Sequence, residues 1–147
     1  MEKEIVFEDL EERYDNLLND FINYLTNEVK LSKKVVKSYR HGANLVCLSG
    51  LYGCPVEPNE LCFTDFSEAI EYFGIHKYYI SSLSDAKNVI ASFKHFAKFL
   101  CLKEIINEEA YNDIIDEIKT MKDEWLEAVS IRLNEDRDIY YEMIMPE

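Results

Sequence analysis

Glycine and proline are scarce in this sequence, with four and three residues among 147. An all-β protein depends on both for its many tight turns, so this composition disfavours that class. Long apolar runs are also missing, because none approaches the roughly 18 residues that a membrane helix requires. The first residues, Met1–Glu4, are charged and lack the apolar core of a signal peptide. We therefore expect a cytoplasmic protein that makes no use of a membrane.

The residues that usually carry catalysis or bind metals are also few and scattered. Three histidines lie far apart in the sequence, and the four glycines never cluster as they do in a phosphate-binding loop. No cysteine pair shows the spacing of two to four residues that is typical of zinc ligands. Closely spaced carboxylates are abundant, but at these spacings they favour a solvated helix face. We therefore expect no enzyme, cofactor or metal site, and four reduced thiols: Cys47, Cys54, Cys62 and Cys101.

Apolar side chains are plentiful, at 48 % of residues, and they recur at helical spacing along most of the chain. The pattern predicts an all-α fold, a compact bundle of five to six helices in one domain. Its core is expected over about residues 8–106, with an acidic C-terminal helical extension over about 107–147. The predicted helices are about 8–27, 33–51 after an N-cap at Ser32, 64–73 between Thr64 and Gly74, one ending near Leu102 after Ser81, Ser82 or Ser84, 108–121 after Asn107, and about 125–133.

One helical pattern occurs twice. Residues 35–48 (VVKSYRHGANLVCL) align without a gap with residues 89–102 (VIASFKHFAKFLCL), with six identities. At about 100° per residue, each copy has one apolar face with cations along its flank. These two basic stripes consist of Lys33, Lys37, Arg40 and Asn44 in the first helix and Lys87, Lys94 and Lys98 in the second.

Charge is distributed unevenly along the chain, which has a net charge of −13. Residues 1–28 contain nine acids and two bases, and residues 104–147 contain fourteen acids and four bases. Residues 29–103, which include the repeat, contain ten bases and six acids and are the only net-basic stretch. Such asymmetry is informative about partners, because a basic surface favours phosphates and an acidic one favours basic proteins.

Four segments resemble the core-binding domain of tyrosine recombinases and phage integrases: Phe21–Leu25, Leu31–Tyr39, Ile80–Ser84 and Phe93–Leu100. This SAM-like helical domain grips one face of DNA, and the resemblance covers about residues 17–106. It implies that the segment beginning Ser32-Lys33-Lys34 and the helix carrying Lys87, Lys94 and Lys98 face double-stranded DNA. The expected DNA-binding residues are thus Lys33, Lys34, Lys37, Arg40, Asn44, Lys87, Lys94 and Lys98.

The chain departs from that family because it has no room for the catalytic domain. Tyr140 and Tyr141 lie near the C-terminus, where a recombinase nucleophile would be sought, but without activating cations we expect them to be packing residues. The first hypothesis is therefore a non-catalytic, integrase-like domain that binds DNA or regulates a phage or other mobile element.

Two alternatives follow from the acidic ends. The chain is an acidic protein-interaction module, an inhibitor or DNA mimic, that binds a basic partner protein and uses apolar anchors such as Trp125, Leu126, Tyr140, Tyr141 and Ile144. In the other alternative, the acidic ends cover the basic stripes and hold the domain in an autoinhibited or self-associated state, which includes a homo-oligomer.

Overall fold

The computed structural model describes residues 6–144, and within this range the fold is all-α, with five α-helices and no strand. The charged residues Met1–Glu4 lie outside this range. Two π-helical segments, Tyr24–Glu28 and Ala69–His76, continue the first and third helices, and a 3₁₀ turn covers Pro58–Glu60. The helices are α1 (Phe7–Asn23), α2 (Lys33–Tyr52), α3 (Phe63–Glu68), α4 (Leu83–Leu102) and α5 (Glu108–Ile144).

Three predicted N-caps are confirmed. The Ser32 hydroxyl accepts a hydrogen bond from the Val35 N–H at 3.3 Å, and the Ser82 hydroxyl accepts one from the Asp85 N–H at 3.0 Å. The Asn107 side-chain oxygen accepts from the Ala110 N–H at 2.8 Å. Each cap satisfies an amide that has no partner within its own helix. The starts of α2, α4 and α5 are therefore set by local side-chain chemistry.

The predicted boundaries of the third helix are wrong at both ends. Thr64 is not the cap, because α3 begins at Phe63 and the Asp65 carboxylate accepts from the Cys62 N–H at 2.9 Å. Gly74 does not end the helical segment, which continues to His76. A β-carbon on Gly74 would lie 2.5 Å from Ile80 Cδ1, so this glycine permits close packing against Ile80.

The predicted helix end at Met121 is also wrong, because α5 continues without a break for 37 residues. The polar stretch 134–138 contains no glycine or proline, so nothing in it stops a helix. Arg132 fixes the helix beyond the predicted end. Its guanidinium donates to the carbonyl oxygens of Gly74 (3.1 Å), Ile75 (2.9 Å) and Ile80. These bonds join α5 to the segment between α3 and α4.

A single apolar core joins all five helices. Phe21 of α1 contacts Phe96 of α4 with ring centroids 5.0 Å apart, and Phe93 meets Trp125 of α5 edge-to-face at 6.3 Å. α2 and α4, the two copies of the repeat, form the most extensive helix pair. α5 contributes Ile114, Ile118, Trp125 and Val129 to this core, whereas its residues 134–144 add no buried side chain.

None of the helices within residues 6–144 combines the length and the hydropathy needed to cross a membrane.

Candidate nucleic-acid interface

The two helices that carry the basic stripes pack directly against each other. Gly42 of α2 faces Ser92 of α4 so closely that a β-carbon on Gly42 would lie 1.8 Å from Ser92 Oγ. One turn earlier on α2, the Tyr39 ring lies 5.0 Å from the His95 ring. The contact point moves backward along α4 as it moves forward along α2, so the two helices run in roughly opposite directions. Together with the contacts to α1 and α5, this packing buries one side of each helix and leaves the other side to solvent.

All the predicted cationic residues are exposed to solvent, and the Lys98 ammonium also lies 5.8 Å from the centre of the Tyr111 ring of α5. Lys33, Lys34, Lys37 and Arg40 of α2 are exposed, as are Lys87, Lys94 and Lys98 of α4, while Asn44 is half-buried. None of the seven cations forms an ion pair with a carboxylate within residues 6–144. Their charges are therefore not neutralised by a contact within the described fold.

Each stripe borders one of the outer acidic helices. Asn44, at the end of the α2 stripe, lines a groove together with Glu11 and Asp15 of α1. On α4, Lys87 and Lys94 line a cleft together with residues of α5, which include Asp123. The stripes thus occupy the two outer flanks of the α2–α4 pair, and Tyr39 and His95 lie between them. A ligand that engages both stripes must span this pair of helices.

The two histidines of the repeat play no part in either stripe. His41 Nε2 lies 2.9 Å from the Tyr79 carbonyl oxygen and 3.8 Å from the Asp85 carboxylate, so it links α2 to the start of α4. Burial lowers the pKa of His95 and so favours its neutral form. Within residues 6–144, no three histidine, cysteine or acidic side chains are grouped as metal ligands would be.

Sequence reasoning missed one cation of this surface. Lys122 of α5 lies in the same cleft as Lys87 and Lys94, although it belongs to a strongly acidic segment of the sequence. Its local sequence gives no sign of this role, because the neighbours that define the cleft belong to α4. The cleft has a volume of about 420 Å³, and Ile90, Ala91 and Leu126 form its apolar part.

The apolar anchors considered for a protein partner divide into two groups. Trp125 is 1 % exposed, and its indole N–H donates to the Glu71 carboxylate at 3.2 Å, so it is part of the core. Tyr140 and Tyr141 are 59 % and 51 % exposed. The expectation that these two tyrosines are packing residues is therefore wrong, because α5 extends past the core before it reaches them. Leu126 is half-buried and Ile144 is exposed.

Comparisons of this chain with protein-family models, curated proteins and solved structures found no match. The resemblance to the integrase core-binding domain therefore stays a prediction.

Proposed function

We propose that this chain is a non-catalytic helical domain that binds duplex DNA through the basic stripes of α2 and α4. The observation that supports this most directly is the set of seven exposed cations on these helices without an ion pair among the described residues. The chain has 29 acids and only 16 lysines and arginines, so acidic partners are available in excess. Because the seven cations nevertheless lie apart from these acids, they form a cationic surface that suits phosphates.

The dimensions of the stripes fit a short stretch of duplex. From Lys33 to Asn44 and from Lys87 to Lys98, each stripe covers about 16 Å of helix at 1.5 Å per residue. One DNA strand carries a phosphate about every 3.4 Å along the helix axis, so each stripe has the length of about five phosphates. Contacts of lysine and arginine with phosphates position a protein on DNA without reading the base sequence. Binding is therefore expected to be weakly sequence-specific and strongly dependent on salt.

The acidic outer helices restrict how DNA approaches. α1 and α5 border the stripes with Glu11, Asp15 and Asp123, which repel phosphates. A duplex placed across the α2–α4 pair meets cations, whereas one displaced toward either outer helix meets carboxylates. The net charge of −13 also keeps the affinity for DNA modest, because it opposes the approach of any polyanion at low ionic strength.

Fluorescence-anisotropy titration of a 25-base-pair duplex at 50 mM salt tests this proposal. We expect the Lys37→Glu/Arg40→Glu and Lys94→Glu/Lys98→Glu variants each to weaken binding by at least tenfold. The control is Lys77→Glu/Lys119→Glu, which removes two exposed lysines outside both stripes and changes the net charge by the same amount. Equal losses in all three variants would show that net charge alone governs binding and would contradict the proposed interface.

A second candidate is an acidic module that binds a basic partner protein. The acids of α5 favour it, because Asp136 is the only one that forms an ion pair within residues 6–144. Exposed carboxylates along α5, about 55 Å long at 1.5 Å per residue, form an extended anionic surface. If the wild-type chain fails to bind the duplex at 50 mM salt, the first candidate is excluded and this one is favoured.

A further inference from the structure

The last three turns of α5, residues 134–144, extend past the core and are called the C-terminal arm here. Ile139, Tyr140, Tyr141, Met143 and Ile144 are each at least 51 % exposed. At 100° per residue, all of these except Tyr141 fall on the side of the helix that carries the buried Ile118, Trp125 and Val129. The apolar face of α5 thus continues beyond the domain, and no other described part of the chain covers it.

The amount of exposed apolar surface is comparable to what a stable dimer buries. At roughly 200 Å² for each fully exposed large side chain, the four residues on this side of one arm expose about 490 Å². Two arms together supply about 970 Å², and specific protein–protein interfaces bury at least about 1,200 Å², counted over all the surfaces in contact. The apolar residues of the surfaces that the arms would cover add to this area. A second copy of the same chain therefore supplies enough contact.

The spacing of residues along α5 points to helix pairing. Leu126, Leu133 and Tyr140 are seven residues apart, and Ile144 follows four residues after Tyr140. Seven-residue spacing places side chains in one row along a helix that packs against another helix. Leu126 and Leu133 are only half-buried within the chain, so this row has surface left for a partner.

Charge selects an antiparallel arrangement. The arm contains Glu135, Asp136, Asp138 and Glu142 against Arg137, so a parallel pair would bring two arms of net charge −3 together. An antiparallel pair instead brings each arm to the cleft between α4 and α5 of the other copy. That cleft has Lys87, Lys94 and Lys122 beside its apolar part, with Asp123 as its only acid.

The arm cannot reach this cleft in its own chain. Tyr140 is fourteen residues beyond Leu126 in one continuous helix, which places it about 21 Å away along the axis. Pairing two α5 helices with Leu133 at the centre places residue 140 of one copy opposite residue 126 of the other, and the reverse. Both contacts then form at once, and the twofold symmetry closes the assembly as a dimer.

We propose that this chain forms a homodimer through antiparallel pairing of α5 centred at Leu133. Tyr140 and Ile144 of each copy enter the cleft between α4 and α5 of the other. The dimer is measured without nucleic acid, so its test does not depend on DNA binding. The two interactions are nevertheless expected to compete, because the cleft that receives the arm contains Lys87 and Lys94 of the α4 stripe. The dimer contains two identical contacts, each between the arm of one copy and the cleft of the other. A substitution in the arm or in the cleft therefore affects both contacts.

Sedimentation equilibrium of the full chain at 5–200 µM tests the dimer. We expect the wild type to reach twice the 17.3 kDa of one chain, and Tyr140→Asp/Ile144→Asp to stay at 17.3 kDa throughout. Ile131→Asp is the control, because Ile131 is 50 % exposed but lies on the opposite side of α5 from Leu133. A wild type that stays monomeric to 200 µM overturns the proposal, as does an Ile131→Asp variant that dissociates equally.

Oxidative cross-linking tests the orientation in a chain whose exposed cysteines, Cys54 and Cys62, are replaced by serine. Leu133→Cys lies at the twofold axis, so we expect it to form a disulfide-linked dimer at protein concentrations where the wild type is dimeric. Ile144→Cys lies opposite residue 122 in this arrangement, so we expect at least tenfold less cross-linked dimer. Residue 133 lies opposite itself in a parallel pair as well, so efficient cross-linking of Ile144→Cys alongside Leu133→Cys would indicate a parallel pair and overturn the proposal.

Discussion

Gly42 lets α2 approach Ser92 of α4 very closely, since a β-carbon on Gly42 would lie 1.8 Å from Ser92 Oγ and 3.2 Å from the Val89 α-carbon. The Ser92 hydroxyl donates to the Val89 carbonyl oxygen at 2.5 Å, so it occupies a fixed position at this crossing. The relative placement of the two basic stripes therefore depends on a residue without a side chain.

Gly42→Ala is expected to lower the free energy of unfolding by about 1–3 kcal/mol, because the added methyl group overpacks the crossing. Urea denaturation followed by the fluorescence of Trp125, the only tryptophan, measures it. Gly53→Ala is not a suitable control, because its β-carbon would also lie close to a side chain. Ser84→Ala, at an exposed position in the first turn of α4, serves instead and should change stability by less than about 0.5 kcal/mol.

Arg132 joins α5 to the segment between α3 and α4 through three carbonyl oxygens. Its guanidinium also lies 5.0 Å from the centre of the Tyr78 ring, and its Nε is 3.6 Å from the Asp136 carboxylate, too long for a hydrogen bond. Arg132→Lys keeps the charge but loses the planar fork of donors, so we expect a loss of about 2–4 kcal/mol in urea denaturation.

The control for Arg132 is Arg137→Lys. Arg137 lies five residues after Arg132 in α5 and is exposed. Its replacement by lysine should change the free energy of unfolding by less than about 0.5 kcal/mol. If the two variants were equally stable, the carbonyl contacts of Arg132 would not hold α5 in place.

Asp65 makes stability depend on pH. Burial raises the pKa of its carboxyl above the ordinary 3.8, and the hydrogen bond from the Cys62 N–H only partly offsets this. The folded protein then binds the proton more tightly than the unfolded chain does. The contribution of this group to stability is therefore full below pH 3.8 and is lost as the pH rises through the raised pKa.

Asp65→Asn keeps the oxygen that accepts from Cys62 and removes the buried charge. We expect it to be more stable than the wild type at pH 7 and of equal stability near pH 3, as measured by urea denaturation across this range. Asp85→Asn is the matched control, because Asp85 is the third residue of α4, accepts from the Ser81 N–H at 3.1 Å and is less buried. A gain of equal size in both variants would contradict the role of burial.

The thiols are expected to differ sharply in reactivity. Burial raises the pKa of Cys47 to about 12, and the side chain is only 5 % exposed, whereas Cys54 and Cys62 are exposed. Because the thiolate is the nucleophile, iodoacetamide at pH 8 should alkylate Cys54 and Cys62 at least 100-fold faster than Cys47 in the folded protein. Peptide mass spectrometry after timed quenching measures the rates. Rapid native labelling of Cys47 would contradict its burial.

Helix caps and the faces of α2 and α4 could be predicted from sequence because both are local. Ser32, Ser82 and Asn107 bond to amides three residues away, and a helical period of 3.6 residues sorts lysines from apolar residues without knowledge of neighbours. The prediction that Gly74 ends the third helix is wrong because the role of this residue is not local. Its role depends on Ile80, which approaches it only after the chain turns back.

The arrangement of the candidate site depends on tertiary contacts that spacing does not contain. The repeat predicts one basic stripe on each helix, but the stripes occupy opposite flanks because Gly42 and Tyr39 set how α2 meets α4. Lys122 joins the α4 stripe only through the packing of α5. Similarly, the exposure of Tyr140 depends on where the core ends along α5. The sequence does not show this, because the apolar pattern of the helix continues past the last buried residue, Val129.

The salt dependence of duplex binding by the full chain tests the central claim most directly, since phosphate contacts release bound counterions. We predict a linear plot of log K against log salt with a slope of about −4 to −6, as expected for four to seven phosphate contacts. Lys37→Glu/Arg40→Glu should make this slope less steep by about 2. An absence of binding at 50 mM salt, or a slope that this variant leaves unchanged, would contradict DNA binding through the basic stripes.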